Sequence, residues 1–208
     1  MTNFSSGSGA PFKFVGFYLA PAPAHSDTSW MNKRTFLEGL GYGFLVLYVG
    51  RQQTDLTYAR GQQDGDNAVD LAIAAGFTTA VIYLDIEAGG GSISQALLNY
   101  INGWLDKVDS FASWYPGIYC SYSQNADQIK NSRPNMSIRF WVWRLSAPSP
   151  GCTTAIGNLK PSDSGVAFAS SWQYAQTTPG SSTCAQTWNG TTLNVDLNMS
   201  DFQNPSAP

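Results

Sequence analysis

Histidine, basic residues and long apolar runs are what this chain has least of, and each shortage removes a class of function. The single histidine, His25, lies in Pro21-Ala22-Pro23-Ala24-His25-Ser26, an expected exposed loop. Hydrolase triads need an imidazole base and zinc sites need several histidines or paired cysteines, so neither is expected, and no metal or cofactor is. Lys and Arg total 11 against 14 Asp and Glu, a formal net charge of -3, and the cations form no run. Without a basic stripe to neutralise phosphates, nucleic acid and anionic membrane surfaces are not expected partners. The longest apolar stretches, Phe44 to Val49 and Ala80 to Leu84, fall far short of the roughly 20 residues of a membrane span, so a soluble protein is expected, as a monomer.

Other motifs fail on spacing. Gly89-Gly90-Gly91 has no Lys-Ser/Thr after it and no G-x-G-x-x-G pattern, so it reads as a turn, not a phosphate loop. Asp64, Asp66 and Asp70 lack the glycine and terminal glutamate of a calcium loop, and capping of a helix accounts for the first two. Three cysteines cannot all pair within the chain. Cys120, inside Gly117-Ile118-Tyr119-Cys120-Ser121, reads as a buried thiol. Cys152 and Cys184 lie in Ser/Thr/Gly-rich stretches, where they form a disulfide in an oxidising compartment or stay as two thiols in a reducing one.

Charged residues make up 12% of the chain, against about 25% in an average globular protein, while aromatics reach 13%. A surface of rings, hydroxyls and amides suits neutral carbohydrate; the same composition also builds an aromatic-rich core. The 208 residues fit one large domain. Residues 1–11 read as a flexible lead without the basic start and apolar core of a signal peptide, 12–203 as a single domain, and 204–208 as a tail.

Strand-like runs at Lys13 to Leu19, Phe44 to Val49 and Thr79 to Glu87 alternate with helical patterns at Asn67 to Ala75 and Ser92 to Phe111. Ile118 to Tyr122, Ile138 to Leu145, Val166 to Tyr174 and Leu193 to Leu197 follow as strands, the last without convincing helices between them. An α/β fold that begins with βα units and ends with bare strands is an irregular TIM-like barrel, whose chemistry gathers at the C-terminal strand ends.

There the sequence places two acids. In Thr79-Ala80-Val81-Ile82-Tyr83-Leu84-Asp85-Ile86-Glu87, strand alternation puts Asp85 and Glu87 on one face, roughly 6.6 to 7 Å apart by strand rise, near the spacing of glycosidase carboxyl pairs. Like charges so close do not both ionise freely, and the less solvated carboxyl keeps its proton to higher pH. The plainer reading is a strand end meeting solvent or capping a helix. Asp196, in Leu193-Asn194-Val195-Asp196-Leu197-Asn198, shares a face with both asparagines, as a site residue or as part of a polar outer face. Gln173 and Tyr174 add an amide and a ring, and Trp141 and Trp143 share one face, to floor a sugar subsite or to pack.

Gly16-Phe17-Tyr18, Leu45-Val46-Leu47-Tyr48-Val49-Gly50, Gly61-Gln62-Gln63-Asp64-Gly65, Ile82-Tyr83-Leu84-Asp85-Ile86-Glu87, Gly117-Ile118-Tyr119, Trp172-Gln173-Tyr174 and Val195-Asp196 together resemble the glycoside-hydrolase-like domains of unknown function, relatives of the family 25 lysozymes. The resemblance runs from about Gly16 to Asp196. It implies about five βα units followed by three strands with few helices, and peptidoglycan-like glycan as substrate. By that likeness Glu87 is the general acid, while Asp85 and Asp196 stabilise or orient the reacting sugar. Tyr18, Tyr119, Trp141, Trp143, Gln173 and Tyr174 become substrate-binding candidates, and a secreted or cell-surface location is implied. One position departs from the pattern: the lysozymes carry an aspartate at the end of the first strand, where this chain has Tyr18. A tyrosine supplies no charge at neutral pH, which leaves a non-catalytic carbohydrate-binding barrel or a secreted effector module as alternatives.

Overall fold

The computed structural model describes residues 4, 9–23, 25–88, 91–145, 149–177 and 184–208. Two glycines of the 89–91 turn and most of the 1–11 lead lie outside the described residues; of that lead, Phe4 and Ala10 are buried, and Phe4 packs its ring on Phe12.

The chain runs β1 (Phe14–Tyr18), α1 (Arg34–Gly39), β2 (Gly43–Val49), α2 (Tyr58–Ala74), β3 (Ala80–Ile86), α3 (Gln95–Asp109), β4 (Trp114–Ser121), α4 (Ser123–Ser132), β5 (Arg139–Trp143), β6 (Ala169–Ala175), β7 (Ala185–Trp188), β8 (Thr191–Asn194) and β9 (Leu197–Ser200). Strands β1 to β6 pair in sequence order, all parallel, and β9 closes onto β6 antiparallel. The β7–β8 hairpin stands apart. The curled sheet is an irregular TIM-like barrel, and among the described residues no ladder joins its two end strands, β1 and β9.

Side-chain alternation sorts the strands into two cores. Leu45, Leu47, Val81, Tyr83, Tyr119 and Trp141 pack together on the inner face of the curl. Phe44, Val46, Ile82, Leu84, Ile86, Ile118 and Phe140 face outward into a larger cluster with the helices. Every residue of β3 is buried, which is why it reads as an unbroken apolar run until the inward series Val81, Tyr83 reaches Asp85.

Helix α2 corrects the expected start at Asn67: it begins nine residues earlier, capped by Thr57, whose hydroxyl accepts from Arg60 N–H. The glycines that hide this helix from a propensity reading are required by packing. A Cβ on Gly61 would sit 2.0 Å from the Tyr100 carbonyl oxygen, and one on Gly103 would sit 2.1 Å from that of Tyr58, so α2 and α3 cross backbone to backbone. Nor do Asp64 and Asp66 cap. Asp64 is buried in mid-helix between Arg60 at 2.8 Å, Arg51 at 3.1 Å and the Tyr100 hydroxyl at 2.9 Å, and Asp66 pairs with Lys107 at 2.9 Å.

Two further expectations are corrected. The run Leu193 to Leu197 is two strand ends, β8 and β9, divided at Val195 and Asp196; period-two alternation carries on through a bend and cannot reveal one. Residues 204–208 are no loose tail. The β2–β3 ladder begins only at Val46 and Ile82, and the C-terminal residues fill the gap beneath it. Phe44 N–H donates to Asn204 Oδ1, Val46 N–H to Ser206 Oγ, Val81 N–H to the Ser206 carbonyl and the Tyr83 hydroxyl to the Pro205 carbonyl. Cys152 and Cys184 form a disulfide beside the cluster of Trp172, Tyr174, Leu197 and Met199. Cys120 is a buried thiol, pushed up to about 12 by that burial.

Candidate active site

A cavity of about 770 Å³ runs along the inner side of β1, from Phe12 and Phe14 to Tyr18, and reaches the C-terminal ends of the strands. Eight of the nine candidate residues line it: Tyr18 at the end of β1, Glu87 just past β3, Tyr119 on β4, Trp141 and Trp143 on β5, Gln173 and Tyr174 on β6, and Asp196 before β9. The ninth, Asp85, lies on the strand below Glu87, only 6% exposed, and its Oδ1 has no hydrogen-bond partner among the described residues.

Electrostatics shows how closely the acids converge. Burial, and after it the charge of Glu87, pushes the Asp85 carboxyl up to about 7. Asp196 is also raised by burial, against the stabilising N–H of Thr177 at 3.0 Å. Tyr18 rises to about 12, chiefly by burial and then through Asp85, Glu87 and Asp196. Tyr119 shifts upward for the same reasons. Both hydroxyls thus feel all three carboxyls, and no Lys or Arg among the described residues forms an ion pair with any of the three.

A chain of hydrogen bonds fixes the far wall. The Tyr119 hydroxyl donates to Gln173 Oε1 at 2.9 Å, and Gln173 Nε2 donates to Asp196 Oδ2 at 3.3 Å. Trp141 Nε1 donates to Asn198 Oδ1 at 2.9 Å while the Trp141 ring packs 4.3 Å from that of Tyr119, so this indole is both floor and core. Trp143 is half-buried, and its Nε1 has no partner among the described residues. Tyr174 spends its hydroxyl on the Thr153 carbonyl at 2.9 Å and packs its ring against Trp172. Its chemistry is turned to structure rather than to the hollow.

Gln52 was not singled out by the sequence, yet it holds the strand that carries the acids. Its Nε2 donates to the Asp85 carbonyl at 2.9 Å, and its Oε1 accepts from Glu87 N–H at 2.8 Å. The only prior signal was its place after a parallel strand, at the end of a barrel where such loops gather. Among the described residues no group of three or more His, Cys, Asp or Glu is arranged to hold a metal ion.

An irregular, mostly parallel barrel with Glu87 and Asp196 lining its cavity and Asp85 just beneath has the architecture of a glycoside hydrolase-like barrel. Residues 8–200 match the Rv2525c-like, glycoside hydrolase-like domain, and the chain belongs to that family. Solved structures agree on the fold. An uncharacterized B. stearothermophilus protein is similar at 20% identity and a TM-score of 0.67, over 94% of this chain and 88% of that one. The Clostridium perfringens spore cortex lytic enzyme SleM is similar at 16% identity and a TM-score of 0.59, over 95% and 64%. The catalytic domain of the endolysin ply40, from bacteriophage P40 of Listeria monocytogenes, is similar at 18% identity and a TM-score of 0.53, over 91% and 82%. Comparison with curated protein sequences finds no match.

Proposed function

We propose that this protein is a muramidase-like glycoside hydrolase acting on the amino-sugar polymer of bacterial cell walls. The observation that carries the proposal is the pairing of a buried Asp85, raised to about 7, with a Glu87 that is exposed in the cavity. Burial, and after it the nearby charge of Glu87, keeps the Asp85 carboxyl protonated well above the ordinary carboxylate range. Glu87 is the member that meets a ligand, and it takes the role of general acid toward the leaving oxygen. Asp85 and Asp196 then stand ready to stabilise positive charge at the sugar ring or at an assisting acetamido group. Tyr18, Trp143 and the Gln173 amide supply ring faces and hydrogen bonds for the sugar.

The lytic enzymes among the structural neighbours support a cell-wall substrate. A secreted or cell-surface setting goes with this reading, supported by the Cys152–Cys184 disulfide. Purified protein should release reducing ends from peptidoglycan or chitin-type oligomers between pH 4 and 7, and Glu87→Gln should abolish that release while melting like the wild type. No release across that range rejects hydrolysis.

Tyr18 favours a second reading. It stands where the lysozymes carry an acid, so the same hollow serves as a carbohydrate-binding site without turnover. Isothermal titration with oligosaccharide, followed by product analysis, separates the two: an intact bound ligand points to the binder, and cleaved product to the hydrolase.

A further inference from the structure

The β2–β3 ladder ends at the Val49–Asp85 pair, and the β3–β4 ladder ends one residue later at Ile86–Cys120. Glu87 therefore lies beyond the last rung on both sides. A side chain at the end of an extended segment swings freely unless something continues the pairing. Gln52 does so: its carboxamide offers an acceptor and a donor in the pattern of a peptide group, taking the Glu87 N–H at 2.8 Å and giving to the Asp85 carbonyl at 2.9 Å. The same Nε2 also reaches the Gly50 carbonyl at 3.2 Å, and Gly50 N–H donates to that Asp85 oxygen at 3.2 Å.

The loop that presents Gln52 is itself anchored. Its neighbour Arg51 donates through Nε to the buried Asp64 at 3.1 Å, and Arg51 N–H donates to the Tyr100 hydroxyl at 3.2 Å. Asp64 and Tyr100 sit at the close crossing of α2 and α3. A continuous set of bonds thus runs from the helix pair through Arg51 and Gln52 to the backbone of Glu87.

We propose that Gln52 is the positioning residue of the acid pair, a side-chain amide standing in for the missing rung so that the Glu87 carboxyl is held at a fixed height over the cavity. The inference rests on the hydrolase reading for its catalytic consequence and on the backbone hydrogen bonds for its structural one. Orientation is worth much in catalysis, since a misplacement of about 1 Å costs on the order of 100-fold in rate.

The test uses the full chain as wild type, Gln52→Ala and Gln52→Glu. Amide hydrogen exchange reads the clamp without any turnover. In Gln52→Ala the Glu87 amide should exchange at least about tenfold faster while the amide of Tyr83, in mid-strand, keeps its protection. On chitin-type oligomers or soluble peptidoglycan fragments kcat should fall roughly 10- to 100-fold, with KM within about twofold. Gln52→Glu adds a readout that mere packing would not move. Its protonated carboxyl donates and accepts as the amide does; ionised, it only accepts and sets another negative charge beside the pair. Its rate should therefore approach the wild type at acid pH and fall away faster as pH rises. Unchanged Glu87 exchange and kcat in Gln52→Ala overturn the proposal, as does a uniform rise in exchange that includes Tyr83. A wild type without turnover, whose Glu87 amide still loses protection in Gln52→Ala, rejects the hydrolase reading and upholds the clamp.

Discussion

Asp85 and Glu87 differ by one methylene and two positions, yet their surroundings differ sharply, the first buried and the second exposed in the cavity. Asp85 folds with its carboxyl raised to about 7, against roughly 3.9 in an unfolded chain, so unfolding releases a proton between those values. Its contribution is therefore full below about pH 4 and is lost as pH climbs through 7. At about 1.4 kcal/mol per unit the penalty reaches on the order of 4 kcal/mol, an upper figure because water in the cavity screens it. Asp85→Asn, which stays neutral, should melt above the wild type at pH 8 and level with it near pH 4; a difference in Tm that ignores pH would contradict this. Strand alternation made the shared face of Asp85 and Glu87 legible, because an inward series of period two passes through Val81 and Tyr83 to reach them, while their suggested roles came from the family resemblance. Gln52 was not legible. It acts on the backbone of residues 33 and 35 positions away, and no local pattern marks a side chain that bonds across such a distance.

At the scale of elements, the strands of the parallel sheet were foreseen within a few residues, since burial on both faces writes a dense apolar signature. Helices fared worse. α4 offers only Ala126 and Ile129 as buried apolar residues among polar ones, and α1 buries only Leu37, so neither carries a stripe to read. The start of α2 was concealed by the very residues that dock it. Gly61 is costly to helix propensity and indispensable to the crossing, where the Tyr100 carbonyl occupies the space of a side chain. Gly61→Ala should accordingly destabilise by about 3 kcal/mol, the scale of an overpacked core, and lower the urea midpoint with little change in slope. Unaltered or higher stability, as propensity alone would give, would show that the crossing relaxes without cost.

Across the whole molecule, the two ends of the barrel differ. The acid mouth is left open, and the opposite one is stoppered by residues 204–207, whose Ser206 is 3% exposed. That stopper was invisible in the sequence because Asn204-Pro205-Ser206 is held by side-chain and carbonyl oxygens that accept from β2 and β3, and no periodic apolar stripe marks it. Deleting residues 204–208 strands the Phe44, Val46 and Val81 amides in a buried setting, at about 1 to 3 kcal/mol for each amide left unpaired. The shortened chain should melt well below the full one, and a Tm within a degree or two would refute the stopper's role. The disulfide, too, acts at this scale, tying the β5–β6 connection to the segment that enters β7.

The gap between β1 and β9 bears on what the hollow can admit. A closed cylinder has its calibre set by strand number and stagger, and widening it means breaking rungs. Here Tyr18 and Asp196 stand on opposite banks of a slit that no rung crosses among the described residues, and Phe14, Leu197 and Met199 border the same hollow. Its width is set by how side chains nest and not by a ladder, so widening it repacks apolar groups, at far less expense than prising apart a sheet.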